Sequence, residues 1–217
     1  MEEEKKMTGA VERIEGVIIA SGAPIGSLGR LDEMVLRVRR GDAEAFNEIM
    51  LETEKRVLGI AYRVLGDPEQ AKDASQDAFL RAYKSLNTYR VGESFMAWIG
   101  RVTVNVCRDY LKKREHGAMA AADPNFLESM PSPDSYKAET TILRHQHAEL
   151  IQRALAALTP AERMALVLRD MEGFSTHETA RAMGLKEGTI RAQISMARSK
   201  IKVFCQRVLR KNKGGRP

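Results

Sequence analysis

Residues 184–201 read GLKEGTIRAQISMARSKI, an orderly apolar spacing combined with an excess of positive charge. At about 100° per residue, Ile190, Ile194, Ala197 and Ile201 fall on one helical face. Arg191, Ser195, Arg198 and Lys202 line up beside that face, and Gln193, Met196 and Lys200 occupy its other flank. A solvated helix surface would account for the cations alone. The preceding stretch, STHETARAMGL at 175–185, narrows the choice: a short helix with its own cap signal, then a turn at Gly184. A short helix, a glycine turn and a basic second helix make the helix-turn-helix, whose second helix enters the DNA major groove. Ala180 and Gly184 are small where the two helices approach. The competing reading is a purely structural helical hairpin.

Outward from this stretch, the remaining elements are marked by their own punctuation. Asp67-Pro68-Glu69-Gln70, Thr159-Pro160-Ala161-Glu162 and Ser175-Thr176-His177-Glu178 each place a capping oxygen three residues before Glu or Gln. Such an oxygen supplies a partner to the first backbone N–H groups, which have none inside the helix. Gly41, Gly66, Gly173 and Gly184 stand where helices stop. The spacing predicts helices at about 31–40, 43–65, 68–86, 93–115, 138–157, 160–172, 175–183 and 187–208, and no stretch alternates as a strand would. The expected fold class is all-α, two small helical domains joined by a flexible linker. The boundaries fall at 1–30 for an N-terminal extension, 31–116 for the first domain, 117–136 for the linker, 137–210 for the second domain and 211–217 for a basic tail. The linker is read from GAMAAADPNFLESMPSPDS, residues 117–135, rich in Ala, Pro, Ser and Asp without a sustained period.

A chain of 217 residues with formal charge +6 favours an acidic partner such as nucleic acid or an anionic surface. The two cysteines, Cys107 and Cys205, lie far apart inside helical patterns, so neither a disulfide framework nor a zinc cluster is expected, and a reducing cytoplasmic setting follows. The run GVIIASGAPIGSLG at 16–29 is broken by Ser21, Gly22, Pro24 and Gly26 well short of the ~20 residues of a membrane span, and its flanks lack a positive n-region. No membrane insertion is expected. No phosphate-binding glycine loop, metal-spaced cluster or nucleophile motif is present, so no catalytic residue, metal ligand or cofactor is expected. His177 reads as an exposed first-turn residue.

A second basic stripe lies in the first domain. On the helix from about Glu93 to Glu115, Phe95, Trp98, Ile99, Val102, Val106 and Tyr110 form the expected core face. Arg101, Asn105, Arg108 and Lys112 follow helical spacing beside it, with Asp109 at the boundary. Several cations on one face gain collectively by releasing the counterions condensed on nucleic acid.

Together these segments resemble the extracytoplasmic-function sigma factors, bacterial initiation factors of the sigma-70 family that retain its second and fourth regions. The resemblance runs from about Leu31 to Val208. GDAEAFNEIM (41–50) is similar to the family's opening helix. LGDPEQAKDASQDAFLRAYKSL (65–86) resembles the segment that meets the clamp helices of RNA polymerase. FMAWIGRVTVNVCRDYLKKR (95–114) resembles the segment that contacts and opens the promoter, and residues 158–198 are similar to the fourth region almost without gaps.

The resemblance implies core RNA polymerase, promoter DNA and an anti-sigma factor as partners, and no enzymatic activity. It assigns polymerase binding to Asp73, Gln76 and Asp77. Arg101, Asn105, Arg108, Asp109 and Lys112 are assigned to melting the downstream promoter element, with the loop Asn87–Ser94 helping to accept an extruded base. Thr189, Arg191, Gln193, Ser195, Met196 and Arg198 are assigned to the upstream element. The sequence departs from the family pattern at Lys72, where a carboxylate is usual, at Val102-Thr103, where Ile-Ala is usual, and at Ala192-Gln193, where Ser and Arg are common. A helix-turn-helix regulator that dimerises on a palindrome without polymerase is the alternative.

Overall fold

The computed structural model describes residues 28–116 and 138–213. The expected linker, nearly all of the expected N-terminal extension and the end of the basic tail lie outside the described residues. Among the described residues every regular element is helical: α1 (Leu28–Arg39), α2 (Glu44–Leu65), α3 (Pro68–Ser85), a 3-10 turn (Leu86–Thr88), α4 (Phe95–His116), α5 (Ala138–Ala156), α6 (Pro160–Leu166), a π-helical stretch (Val167–Met171), α7 (Thr176–Met183) and α8 (Glu187–Lys213).

The punctuation acts as the sequence indicates. Gly66 closes α2 in the left-handed region at φ 73°, its N–H donating to the Tyr62 carbonyl at 2.8 Å. Asp67 then caps α3, accepting from the Gln70 backbone N–H at 3.0 Å. Thr159 and Ser175 each form a reciprocal capping box with the glutamate three residues on. α8 runs five residues beyond its expected end at 208, because RVLRKNK offers no glycine or proline before Gly214 and its cations suit a helix C-terminus.

The helix expected to reach 172 changes character at Val167. The Glu172 N–H donates to the Val167 carbonyl five residues back at 2.9 Å, the bond of a π turn, and Gly173 at φ 76° ends it. This wide turn aims Asp170 at α8 and Glu172 at α2.

α1 to α4 pack around Leu31, Val35, Ile49, Val57, Ile60, Ile99 and Val106. α6, α7 and α8 pack around Leu166, Leu168, Ile190, Ala197 and Ile201. The sequence predicts two domains on a tether; in the structure the two cores are continuous, with α7 lying against α4 and the π-helical stretch against α2. Three expected core residues of α4 differ: Val102 and Tyr110 are half-buried at the edge of the core, and so is Trp98. Trp98 is only half-buried, because its indole faces the 87–94 loop, with Nε1 3.4 Å from Thr88 Oγ1 and the ring 5.7 Å from that of Tyr89.

Candidate nucleic-acid and polymerase surfaces

The apolar side of α8 is the one expected: Ile190, Ile194, Ala197 and Ile201 are all buried. Thr189, Arg191, Ser195 and Met196 are exposed on the opposite side and Gln193 is half-buried. Arg191 donates to Glu187 one turn back at 2.8 Å, a surface pair that holds the side chain along the helix without burying its charge. Arg198 is different. Its Nε and Nη2 each donate to the fully buried carboxylate of Asp170 at 2.8 Å, and Asp170 also accepts from Arg169 at 3.0 Å. Lys200 similarly donates to both oxygens of buried Glu162, at 2.7 and 2.8 Å. Part of the basic stripe therefore anchors α8 to its own domain.

These charges are tuned by their neighbours. Burial alone would push the Glu162 carboxyl up, but the Lys200 ammonium and the Thr159 backbone and side chain outweigh it and hold the group below its ordinary value. The hydrogen bonds to Asp170 hold Arg198 above its ordinary value against the opposing pull of burial. Between α7 and α8 lies a cavity of about 370 Å³ lined by Arg169, Thr176, Arg191, Ile194, Ser195 and Arg198. Sequence reasoning missed Arg169 and Thr176 here, since nothing in their local spacing says that the π turn and the start of α7 face α8.

On α4, Arg101, Asn105, Arg108 and Asp109 are half-buried and Lys112 is exposed. Arg108 Nη2 donates to the Met183 carbonyl at 3.1 Å, and Asp109 accepts from Arg81 Nη1 at 2.7 Å. The 87–94 loop beside this helix is pinned to α1. Tyr89 Oη donates to Asp32 Oδ1 at 2.6 Å, the Gly92 N–H donates to Asp32 Oδ2 at 3.1 Å, and Arg39 Nη2 donates to the carbonyls of Leu86 and Tyr89.

α3 presents a third surface. Asp73 and Gln76 are exposed, and Leu80 and Tyr83 continue the same face as large exposed apolar groups, which the sequence reading did not single out. Asp77 is half-buried and accepts from Tyr110 Oη at 3.1 Å, joining α3 to α4. Burial, then this hydrogen bond, pushes the Tyr110 phenol up to about 12. Burial likewise pushes the Cys107 thiol up to about 12, which leaves it protonated at neutral pH.

Residues 49–116 match the family described as Sigma-70 region 2, and residues 148–201 match Sigma-70, region 4. The RNA polymerase sigma-H factor of Pseudomonas aeruginosa is 31% identical over 183 residues, covering 82% of this chain and 95% of that one. The chain belongs to the extracytoplasmic-function sigma factors. The ECF RNA polymerase sigma factor SigM of Mycobacterium tuberculosis is 31% identical over 161 residues, covering 74% of this chain and 77% of that one. The sigma factor RpoE of Bartonella quintana, solved with the anti-sigma factor NepR, shares the fold with a TM-score of 0.59 at 19% identity, covering 76% of this chain and 98% of that one.

This sigma factor is accordingly a transcription initiation factor that works with RNA polymerase, and its α7–α8 pair lies in region 4 while α4 lies in region 2. Among its described residues no helix is long and apolar enough to cross a membrane, and no group of three or more His, Cys, Asp or Glu is placed to hold a metal ion.

Proposed function

We propose that three surfaces of this sigma factor divide the work of initiation. The exposed turns of α8 read the upstream promoter element, the α4 stripe with the 87–94 loop holds the opened downstream element, and the outer face of α3 binds core RNA polymerase. The observation that carries the reading is the split on α8. Thr189, Arg191, Ser195 and Met196 are exposed where a recognition helix meets base edges, whereas Arg198 and Lys200 are bound to buried carboxylates. Arg191 supplies the base-edge or phosphate contact, a good bidentate pair being worth ~1–3 kcal/mol of discrimination. Gln193, Ser195 and Met196 tune base choice. Arg198 acts mainly by fixing α8, with the 370 Å³ cavity in front of it as a seat for a backbone phosphate between Arg169 and Arg191.

At the downstream element the protein must offset the few kcal/mol that unstacking a base costs. Asn105 and the loop held by Asp32 provide polar contacts to bases, while Arg101, Arg108 and Lys112 take phosphates. Asp109 orients this stripe through Arg81. On α3, Asp73 and Gln76 make the polar part of the polymerase contact and Leu80 and Tyr83 its apolar part; Asp77 supports the surface from behind through Tyr110. Two DNA sites in one chain gain affinity through effective concentration once polymerase sets their spacing. The chain acts in the cytoplasm, without catalytic groups or cofactor of its own. An anti-sigma factor is its expected antagonist, a reading supported by the Bartonella relative having been solved with one.

In vitro transcription from genomic fragments, with and without core RNA polymerase, tests the assignment. Start sites that depend on both the chain and polymerase are expected. Specific binding to a palindrome by a homodimer, with no dependence on polymerase, would replace it with an ordinary helix-turn-helix regulator.

A further inference from the structure

Gly100 sits inside α4, where glycine is among the least favourable residues for a helix, and it is buried. Its neighbour explains it. A Cβ at Gly100 would stand 2.5 Å from Cζ of Phe174, the residue that follows the glycine ending the π turn, and 3.6 Å from Ile60. Gly59 also lies buried inside a helix, but a Cβ there would meet only the flexible end of Arg63, whereas at Gly100 it would strike the Phe174 ring, so Gly100 marks a contact that needs the space.

The contacts around this seat all join the first domain to the second. Glu172, 6% exposed, accepts from Arg56 Nε and Arg63 Nη1 at 2.6 Å each. The Glu172 carbonyl accepts from Arg56 Nη2 at 2.5 Å, and the Arg56 guanidinium lies 5.9 Å from the centre of the Phe174 ring. Arg163 Nη1 donates to the Val64 carbonyl at 3.0 Å. At the other end of α4, Arg108 donates to the Met183 carbonyl in the last turn of α7, where carbonyls lack helical partners and carry partial negative charge.

We propose that Glu172 and Phe174 form a latch that closes region 4 over the α4 face of region 2, and that Arg108, as the cap of α7 in the closed chain, is withheld from nucleic acid until the latch opens. The part concerning nucleic acid rests on the reading of Arg108 given above; the latch itself does not. The Met183 carbonyl takes a donor of the half-buried Arg108 guanidinium and holds it against α7, so closure and phosphate binding compete for that donor. A chain whose binding-competent form is a fraction of the total shows an apparent affinity reduced by that fraction. Gly100 is the element that makes the closed form accessible at all.

The test uses the full chain, spin-labelled through cysteines introduced at the exposed residues Lys84 and Ser199; the native Cys107 and Cys205 are buried. Gly100→Ala and Phe174→Ala are compared with the parent by label–label distance and by anisotropy titration of a fluorescein-labelled mixed-sequence 20-nucleotide single strand. Gly100→Ala is the informative variant, because it favours α4 within its own domain and opposes only the seating of Phe174. Both variants are expected to lengthen the distance with helix content retained, and to tighten binding roughly threefold or more. Arg108→Ala is expected to abolish that gain in the Gly100→Ala background.

An unchanged distance in both variants overturns the latch. A longer distance with unchanged binding, while Arg108→Ala still weakens binding in the opened chain, overturns the competition. If Arg108→Ala has no effect in the opened chain, it is the reading of Arg108 as a nucleic-acid contact that falls, and the distances still decide the latch.

Discussion

Arg198 and Asp170 meet through two hydrogen bonds of 2.8 Å, although they lie 28 residues apart and one of them is fully buried. The pair ties the recognition helix to the π turn before it. Removing Arg198, whose side chain is 43% exposed, leaves the buried Asp170 carboxylate short of its main partner. Arg198→Ala is therefore expected to destabilise the chain by about 1–2 kcal/mol, because Arg198 is itself partly exposed and Arg169 still reaches Asp170. Arg191→Ala, on the exposed side, is expected to change stability by less than about 0.5 kcal/mol while weakening upstream-element binding. Urea unfolding of the two variants beside promoter-binding titrations separates the anchoring cation from the reading one; equal stability losses would erase the distinction.

Glu162 gives the same helix a pH dependence. Its folded value lies below the ordinary 4.5, so its contribution to stability is complete above that value and is lost as pH falls through the lower folded one. Thermal unfolding between pH 6 and about pH 3 is expected to show an acid limb that Glu162→Gln flattens. Lys200→Met, which removes the main partner, is expected to reduce the limb similarly. A Glu162→Gln profile that parallels the parent would assign the limb to other carboxylates.

The outer face of α3 separates contact from support. Asp73→Lys and Gln76→Ala are expected to weaken core polymerase binding with stability unchanged, since both side chains are exposed. Tyr110→Phe is expected to cost about 1 kcal/mol of stability through its lost hydrogen bond to Asp77, with a smaller effect on polymerase. Size-exclusion co-elution with core enzyme, paired with urea denaturation, reads both quantities. A larger polymerase defect in Tyr110→Phe than in Asp73→Lys would reverse the roles.

Helix boundaries were legible because their causes are local. The Asp67, Thr159 and Ser175 oxygens act on N–H groups three residues away, and Gly66 and Gly184 adopt left-handed conformations that other residues avoid. The exposed residues of α8 were legible by periodicity, because Ile190, Ile194, Ala197 and Ile201 fix which side faces inward. Periodicity says nothing of which cation meets a buried acid. Arg191 and Arg198 look equivalent in sequence, and only the π turn, which swings Asp170 toward α8, divides them. The docking of the two domains was illegible for a related reason: Phe174 and Gly100 are 74 positions apart, and a glycine inside a helical pattern was the one local sign of their contact. Trp98 shows the converse error, since its position on the apolar face does not reveal that the 87–94 loop leaves its indole half-exposed.

Salt dependence distinguishes phosphate contacts from base contacts on the two DNA surfaces. Each phosphate neutralised on duplex DNA adds about 0.9 to the slope of log K against log salt, and about 0.7 on a single strand. With the polymerase holoenzyme, Arg191→Ala is expected to lower the slope on an upstream-element duplex by about 0.9 if its guanidinium sits on a phosphate. An unchanged slope with relaxed preference at one base pair would place it on a base edge. Gln193→Ala carries no charge and is expected to shift base preference at constant slope, a place to look for individuality because Ala192-Gln193 departs from the common Ser and Arg. On a single-stranded downstream probe, Lys112→Ala is expected to lower the slope by about 0.7, since this lysine is already exposed. Arg108→Ala is expected to do so only where the chain is open, because closed chains spend that guanidinium on the Met183 carbonyl. Equal slope changes for Arg108 and Lys112 in the free chain would mean that α7 does not shield α4 from nucleic acid.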